Sequence, residues 1–158
     1  MKTLMAVLCS IAVLGAVPAG AADPIVADPA ALQSLRDQLK TDKKAVVAKN
    51  MPLSEAEAKK FWPLYEAYER DMQPIEQRRT LAALDFIGAD EKLTDANAKR
   101  LAGEISAAES DELKLRSRYF DKIARAVSAR KAARFMQIET KIEALNRFDQ
   151  AVRIPLAQ

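Results

Sequence analysis

From Ser54 to Ile87 the chain contains no glycine, opens on a Ser-x-x-Glu start and carries aromatic and aliphatic residues at three- and four-residue steps. Ser54 and Glu57 form a capping box, in which each side chain satisfies a backbone N–H near the helix start, and Leu53 before the cap can staple onto Ala58. The spacing therefore predicts a helix from Glu55. At 100° per residue, Phe61, Tyr65, Tyr68, Met72 and Ile75 fall on one stripe, continued by Ala82 and Phe86, while Glu66, Glu69 and Arg70 lie off it. A helix this long with one apolar face needs a cover for that face, and the choice of cover decides the fold.

Two prolines interrupt the same stretch. Each removes a backbone donor and crowds the carbonyl four residues earlier, so Pro63 and Pro74 predict kinks. They are 11 residues apart, close to a whole number of turns, so both kinks bend the helix the same way. The aromatic stripe lies about 150° around from the proline line by the same count and should line the inside of an arc. Such a stripe is also what any core-facing helix shows.

Lys2, an apolar run from Leu4 to Val17 and the small residues Pro18 to Ala22 have the three regions of a secretory signal peptide, with cleavage expected near Ala21. The apolar run is shorter than the about 20 residues a membrane-spanning helix needs. Leu8 before Cys9 fits a lipoprotein cleavage site poorly. Export to the periplasm is the expectation. The mature chain then carries 24 Lys and Arg against 22 Asp and Glu, and it has no cysteine and no histidine. A charge this close to neutral gives no reason to expect nucleic acid as a partner. The missing side chains remove disulfides, Ser/His and Cys/His nucleophile pairs and nearly all imidazole or thiolate metal sites.

Asp23 to Asp28 is expected to be a disordered lead-in within residues 22–28, and residues 29–153 to form one helical domain with a tail at 154–158. Asp28-Pro29 is a cap with proline at the first helical position. Leu32, Leu35, Leu39 and Val46 mark a first helix ending near Asn50, with Lys40, Lys43 and Lys44 beside Asp37 and Asp42 on a solvated face. Gly88 is placed to end the second helix. Leu93 to Leu101 and Val127 to Phe135 repeat the pattern of Leu53 to Phe61, with an apolar residue, a Ser/Thr cap and an alanine four residues later. Each copy is explained as a stapled helix start. Leu101, Ile105, Ala108, Tyr119, Ile123 and Val127 form the third stripe, interrupted by Glu112 and Arg116. Phe135, Ile138, Ile142, Leu145 and Val152 form the fourth, and the third and fourth helices either separate at Ser128 or run together. The fold expected is all-α, about four long amphipathic helices in elongated, curved, coiled-coil-like hairpins.

The cleaved signal, the length and the three Leu/Val-Ser/Thr helix starts resemble the periplasmic Spy/CpxP family, named for its LTxxQ motif. Where that family has glutamine this chain has Glu57, Asn97 and Lys131. The chain is also similar to a group of secreted proteobacterial proteins of uncharacterised function, sharing Phe61-Trp62-Pro63-Leu64-Tyr65, Lys131 to Glu139, and Ile154-Pro155-Leu156. The Spy/CpxP resemblance implies a homodimer whose concave face holds unfolding proteins without ATP during envelope stress. On that expectation the client-binding residues are Phe61, Tyr65, Tyr68, Met72 and Ile75, with Trp62 at the edge and Lys59, Lys60, Arg78 and Arg79 as a positive surround. The alternative is a signalling accessory that binds the sensor domain of an envelope stress system. A metal sensor is a weaker reading, because Met51, Met72 and Met136 are explained as core filler. No cofactor and no catalytic residue are expected: carboxylates such as Glu66, Glu69 and Asp71 stand on exposed faces without a nucleophile or a glycine loop.

Overall fold

The computed structural model describes residues 29–89 and 93–152. The expected signal peptide, the lead-in and the tail lie outside these residues. The fold is all-α, with α1 over Pro29–Asn50, α2 over Glu55–Ala89, α3 over Asp95–Ala126 and α4 over Ala129–Ala151.

Each of the three repeated starts is a cap. Glu57 N–H donates to Ser54 Oγ at 3.3 Å and Ser54 N–H donates to Glu57 Oε2 at 2.8 Å, which closes the capping box. Thr94 accepts from Asn97 N–H at 3.3 Å, and Ser128 accepts from Lys131 N–H at 3.2 Å. Ser128 thus separates α3 from α4. The caps also meet one another, because Lys131 Nζ donates to Glu57 across the bundle. Two of the three residues three places after a cap, Glu57 and Lys131, are therefore joined by a salt bridge.

The helices run alternately up and down. The long antiparallel pair α2 and α3 makes the most extensive backbone approach, α4 packs along α3, and α1 packs along α4. Phe135 near the start of α4 reaches Phe61, Tyr65 and Tyr68 near the start of α2, while Glu143 further along α4 reaches Arg79 further along α2. α2 and α4 are therefore parallel, and their C-terminal ends lie at the same end of the bundle. The core they enclose includes Val47, Met51, Phe61, Tyr68, Leu115, Tyr119, Ile123, Phe135 and Ile142.

α2 carries Pro63 and Pro74 inside one continuous helix. Both are exposed, so the carbonyls of Lys59 and Arg70, which lose their donors, lie on the wet side of the helix and can bond to water. Non-helical backbone occurs instead inside α1, at Asp42, with φ −159° and ψ 87°. Asp42 Oδ1 accepts Ala45 N–H at 2.9 Å and caps the second half of α1 as a new helix.

Phe135 is fully buried and touches three aromatic rings of α2 edge-on, at centroid separations of 5.3 to 6.0 Å. Phe135→Ala is expected to cost about 3–5 kcal/mol of unfolding free energy. Urea denaturation followed by circular dichroism measures this, and a loss below about 1 kcal/mol would mean that α4 does not seal the stripe as described.

Candidate functional site

The aromatic stripe of α2 is core. Phe61, Tyr65, Tyr68 and Met72 are 0–5% exposed, and Ile75 packs half-buried beside them. α4 folds back at Val127-Ser128 and lays Phe135 over the stripe, while α3 brings Tyr119 against Tyr68 at 5.4 Å. Burial pushes the phenols of Tyr65 and Tyr68 far above their ordinary titration range. These four residues are not available as a concave client surface in the folded chain. Trp62 is half-buried at the edge of the cluster, 5.0 Å from Phe61, with Lys44 Nζ 5.1 Å above its ring. Met51 and Met72 are buried and Met136 packs against the same cluster, as gap-filling side chains do.

The four cations expected around that surface divide into two groups. Lys59 and Lys60 are exposed at the start of α2. Arg78 is exposed but bonded to Asp111 at 2.7 Å, and Arg79 is buried between α3 and α4. Arg79 donates to Glu112 at 2.9 Å and pairs with Glu143 at 2.6 Å. Arg147 joins the same carboxylates at 3.0 and 2.8 Å and reaches Glu109 at 2.9 Å, and Arg116 pairs with Glu112 at 3.3 Å. Three arginines and three glutamates thus form a neutral cluster linking α2, α3 and α4. Glu112 and Arg116, which interrupt the apolar stripe of α3 in sequence, are the α3 side of it. Carboxylates held this way fix helices against one another.

A second charged group joins α1 to the bundle. Lys43 Nζ lies 2.8 Å from Glu69 Oε1 and 3.0 Å from Glu139 Oε2. Burial alone would lower the Lys43 pKa, but the two carboxylates outweigh it and raise it. Glu139 is 4% exposed, its Oε1 has no hydrogen-bond partner, and burial raises its pKa against the pull of Lys43. Glu76 is raised for the same first reason.

The apolar surface left open lies elsewhere. Leu81 and Leu84 are each 53% exposed, Ile87 is 37% exposed, and Phe148 and Val152 on α4 are 59% and 68% exposed. Because α2 and α4 are parallel, these five residues share one end of the bundle. Val152, expected in the apolar stripe of α4, faces out because α4 ends there at Ala151. The open end has a sequence signal: Leu81, Leu84 and Ile87 fall on the side of α2 opposite Ala82, where a soluble helix would place charge. Among the described residues, no three of His, Cys, Asp and Glu stand together as a metal site. No described helix is long and apolar enough to cross a membrane. The chain matches no family model, no curated protein and no solved structure.

The shifted carboxylates predict opposite pH limbs. Glu57 is held to about 2, first by the Lys131 hydrogen bond and then by the Ser54 N–H, so its contribution is present above the ordinary carboxylate value of 4.5 and is lost as pH falls toward 2. Glu139 is raised, so its contribution is full below 4.5 and declines as pH rises through its folded value. In Glu139→Gln, urea unfolding across pH 2 to 8 is expected to show a flatter decline above pH 4.5, with the acid limb unchanged. An unaltered slope above pH 4.5 would show that Glu139 titrates normally.

Proposed function

We propose that this chain is an ATP-independent, chaperone-like protein of the bacterial envelope that holds unfolded or partly folded proteins at the open apolar end of its bundle. The observation that carries this reading is the set of large apolar side chains, Leu81, Leu84, Ile87, Phe148 and Val152, left 37–68% exposed at one end of the bundle; Leu113 on α3 is exposed as well. Large apolar side chains exposed together at one end of a domain mark a site for protein contact. The surrounding helices carry charge of both signs, which keeps such a surface in solution. The expected signal peptide and the resemblance to Spy/CpxP proteins support the compartment and the role. In that family the holding surface is a concave face, whereas here the corresponding stripe is closed by α4, so the proposed contact moves to the helix ends. The same end offers a second copy of the chain a place to dock, which is where a homodimer would form.

The test is light scattering of a chemically denatured client diluted into buffer with the mature chain at near-stoichiometric ratio and no ATP. Suppressed aggregation is expected for several unrelated clients, at least halved in Leu81→Ser/Leu84→Ser and unchanged in Lys59→Ser/Lys60→Ser. Failure to suppress any client would overturn the reading and favour one specific envelope partner, such as the sensor domain of a stress-response kinase.

A further inference from the structure

The spare positive charge of this chain is gathered at its closed end. α1 and α3 finish there and α2 and α4 begin there, joined by short links at residues 51–54 and 127–128. The helix ends are tied together by Lys131 on Glu57 and by Arg134, whose Nε donates to the Asn50 carbonyl at 3.1 Å. Residues 45–60 and 121–134, which reach about 8 Å into the helices from this end, carry eight Lys and Arg against three Asp and Glu. The rest of the expected mature chain carries sixteen against nineteen. The same reach into the described helices at the opposite end balances Lys99, Arg100 and Arg147 against Asp85, Asp95 and Asp149.

Six of the closed-end cations take no part in holding the bundle together. Lys49, Lys59, Lys60, Arg125 and Arg130 are exposed and Lys122 lies half-buried, 4.5 Å above the ring of Tyr119. None of the six pairs with a carboxylate among the described residues, and the unpaired acids beside them are Glu55 and Asp121. Elsewhere among the described side chains only Arg70, Lys99 and Lys141 are unpaired in this way. Helix electrostatics account for Lys49 and Arg125, which stand in the last turns of α1 and α3 beside the negative ends of the helix dipoles. They do not account for Arg130, in the first turn of α4, where a helix favours an acid and this one has none. A cation kept unpaired where it opposes the helix dipole points to a partner outside the fold.

We propose that the closed end seats on the surface of a bilayer rich in anionic phospholipid, with Lys59, Lys60, Arg125 and Arg130 among the headgroup phosphates and the bundle axis standing away from the membrane. The six cations come from all four helices, so they spread over the blunt end of the bundle instead of lining one groove. That arrangement suits a plane of phosphates better than a single phosphate or one extended polyanionic chain. The depth over which the cations lie matches the about 8 Å over which a charged surface is felt at physiological salt. The expected envelope location places the chain beside such surfaces. α2, with 35 residues and a length of about 50 Å, then carries Leu81, Leu84 and Ile87 away from the bilayer. Binding at the closed end does not depend on client holding; only the orientation it gives the open end rests on that reading.

The test is sedimentation of the mature chain with vesicles of phosphatidylglycerol and phosphatidylcholine in equal parts, and with vesicles of phosphatidylcholine alone. Partitioning onto the mixed vesicles is expected to be at least about tenfold stronger than onto the neutral ones, and to be lost as added salt shortens the screening length from about 10 to about 3 Å. Each basic residue at an anionic surface is worth roughly fivefold in affinity, so Lys59→Gln/Lys60→Gln should bind about 25-fold more weakly. Lys99→Gln/Lys141→Gln removes the same charge from exposed, unpaired positions away from the closed end and should lose less than about twofold. All four side chains lie outside the core, so both variants are expected to keep the cooperative thermal transition of the unaltered chain. Absence of binding to the mixed vesicles, equal binding to the neutral ones, or equal losses in the two folded variants would overturn the proposal. Binding of soluble polyphosphate without binding to the mixed vesicles would overturn it as well and assign the end to a soluble polyanion. Client suppression is measured without vesicles, so failure of either activity is read separately from the other.

Discussion

Phe135 inserted among Phe61, Tyr65 and Tyr68 is the contact on which the rest of this bundle depends. α2 and α3 alone would make a two-helix hairpin with an aromatic stripe open to water on one side. By returning over the stripe, α4 turns a hairpin into a closed core. The rings meet edge-on, the geometry their quadrupoles favour, so the closure has directional as well as apolar attraction. With no cysteine outside the expected leader, no disulfide can supply that closure.

Above the aromatic layer the core changes character. Arg79, Arg116, Arg147, Glu109, Glu112 and Glu143 replace apolar packing with a neutral ionic cluster, and further along Leu81, Leu84, Ile87, Phe148 and Val152 turn outward while Ala82, Leu101 and Ala108 stay buried. Burying ions is a weak source of stability compared with well-packed carbon, but a cluster with such specific pairing resists alternative alignments of the helices. The bundle is thus graded along its axis, from sealed and aromatic at the Glu57–Lys131 end to ionic in the middle and open at the tip of α2 and the end of α4. The grading explains how one small domain can combine a firm core with exposed leucines.

Much of this was legible in the sequence. The Ser/Thr caps placed the starts of α2 and α3, because a capping hydroxyl acts on neighbouring backbone and its effect is local, and the separation of α4 at Ser128, left open by the sequence, is settled by the same kind of cap. The stripe of α2 followed from its period. What covers the stripe did not, since Phe61 and Tyr65 show the same spacing whether they face a groove or another helix. The prolines are tolerated inside α2 because both lie on its exposed side, where the carbonyls they free can meet water. The ionic cluster was read as a break in the α3 stripe because Glu112 reaches partners 35 residues away in α4 and 33 away in α2, which no local spacing reveals. Val47, fully buried, escaped the pattern of α1 because the break at Asp42 resets the helical count.

The ionic cluster also limits how a chain of this kind can change length. Sliding α4 by one turn along α3, about 5.4 Å, would carry Glu143 to the level now held by Arg147 and set it against Glu109 and Glu112. An inserted or deleted turn between the aromatic layer and the cluster, in any one of α2, α3 or α4, has the same effect, because the two layers are then measured with unequal rulers. Residues beyond the cluster are free of this constraint. Relatives of this protein should therefore differ in the length of the α2–α3 tip and keep the spacings Tyr68 to Arg79, Glu112 to Tyr119 and Phe135 to Glu143 intact, so that the open end is where the family has room to diversify.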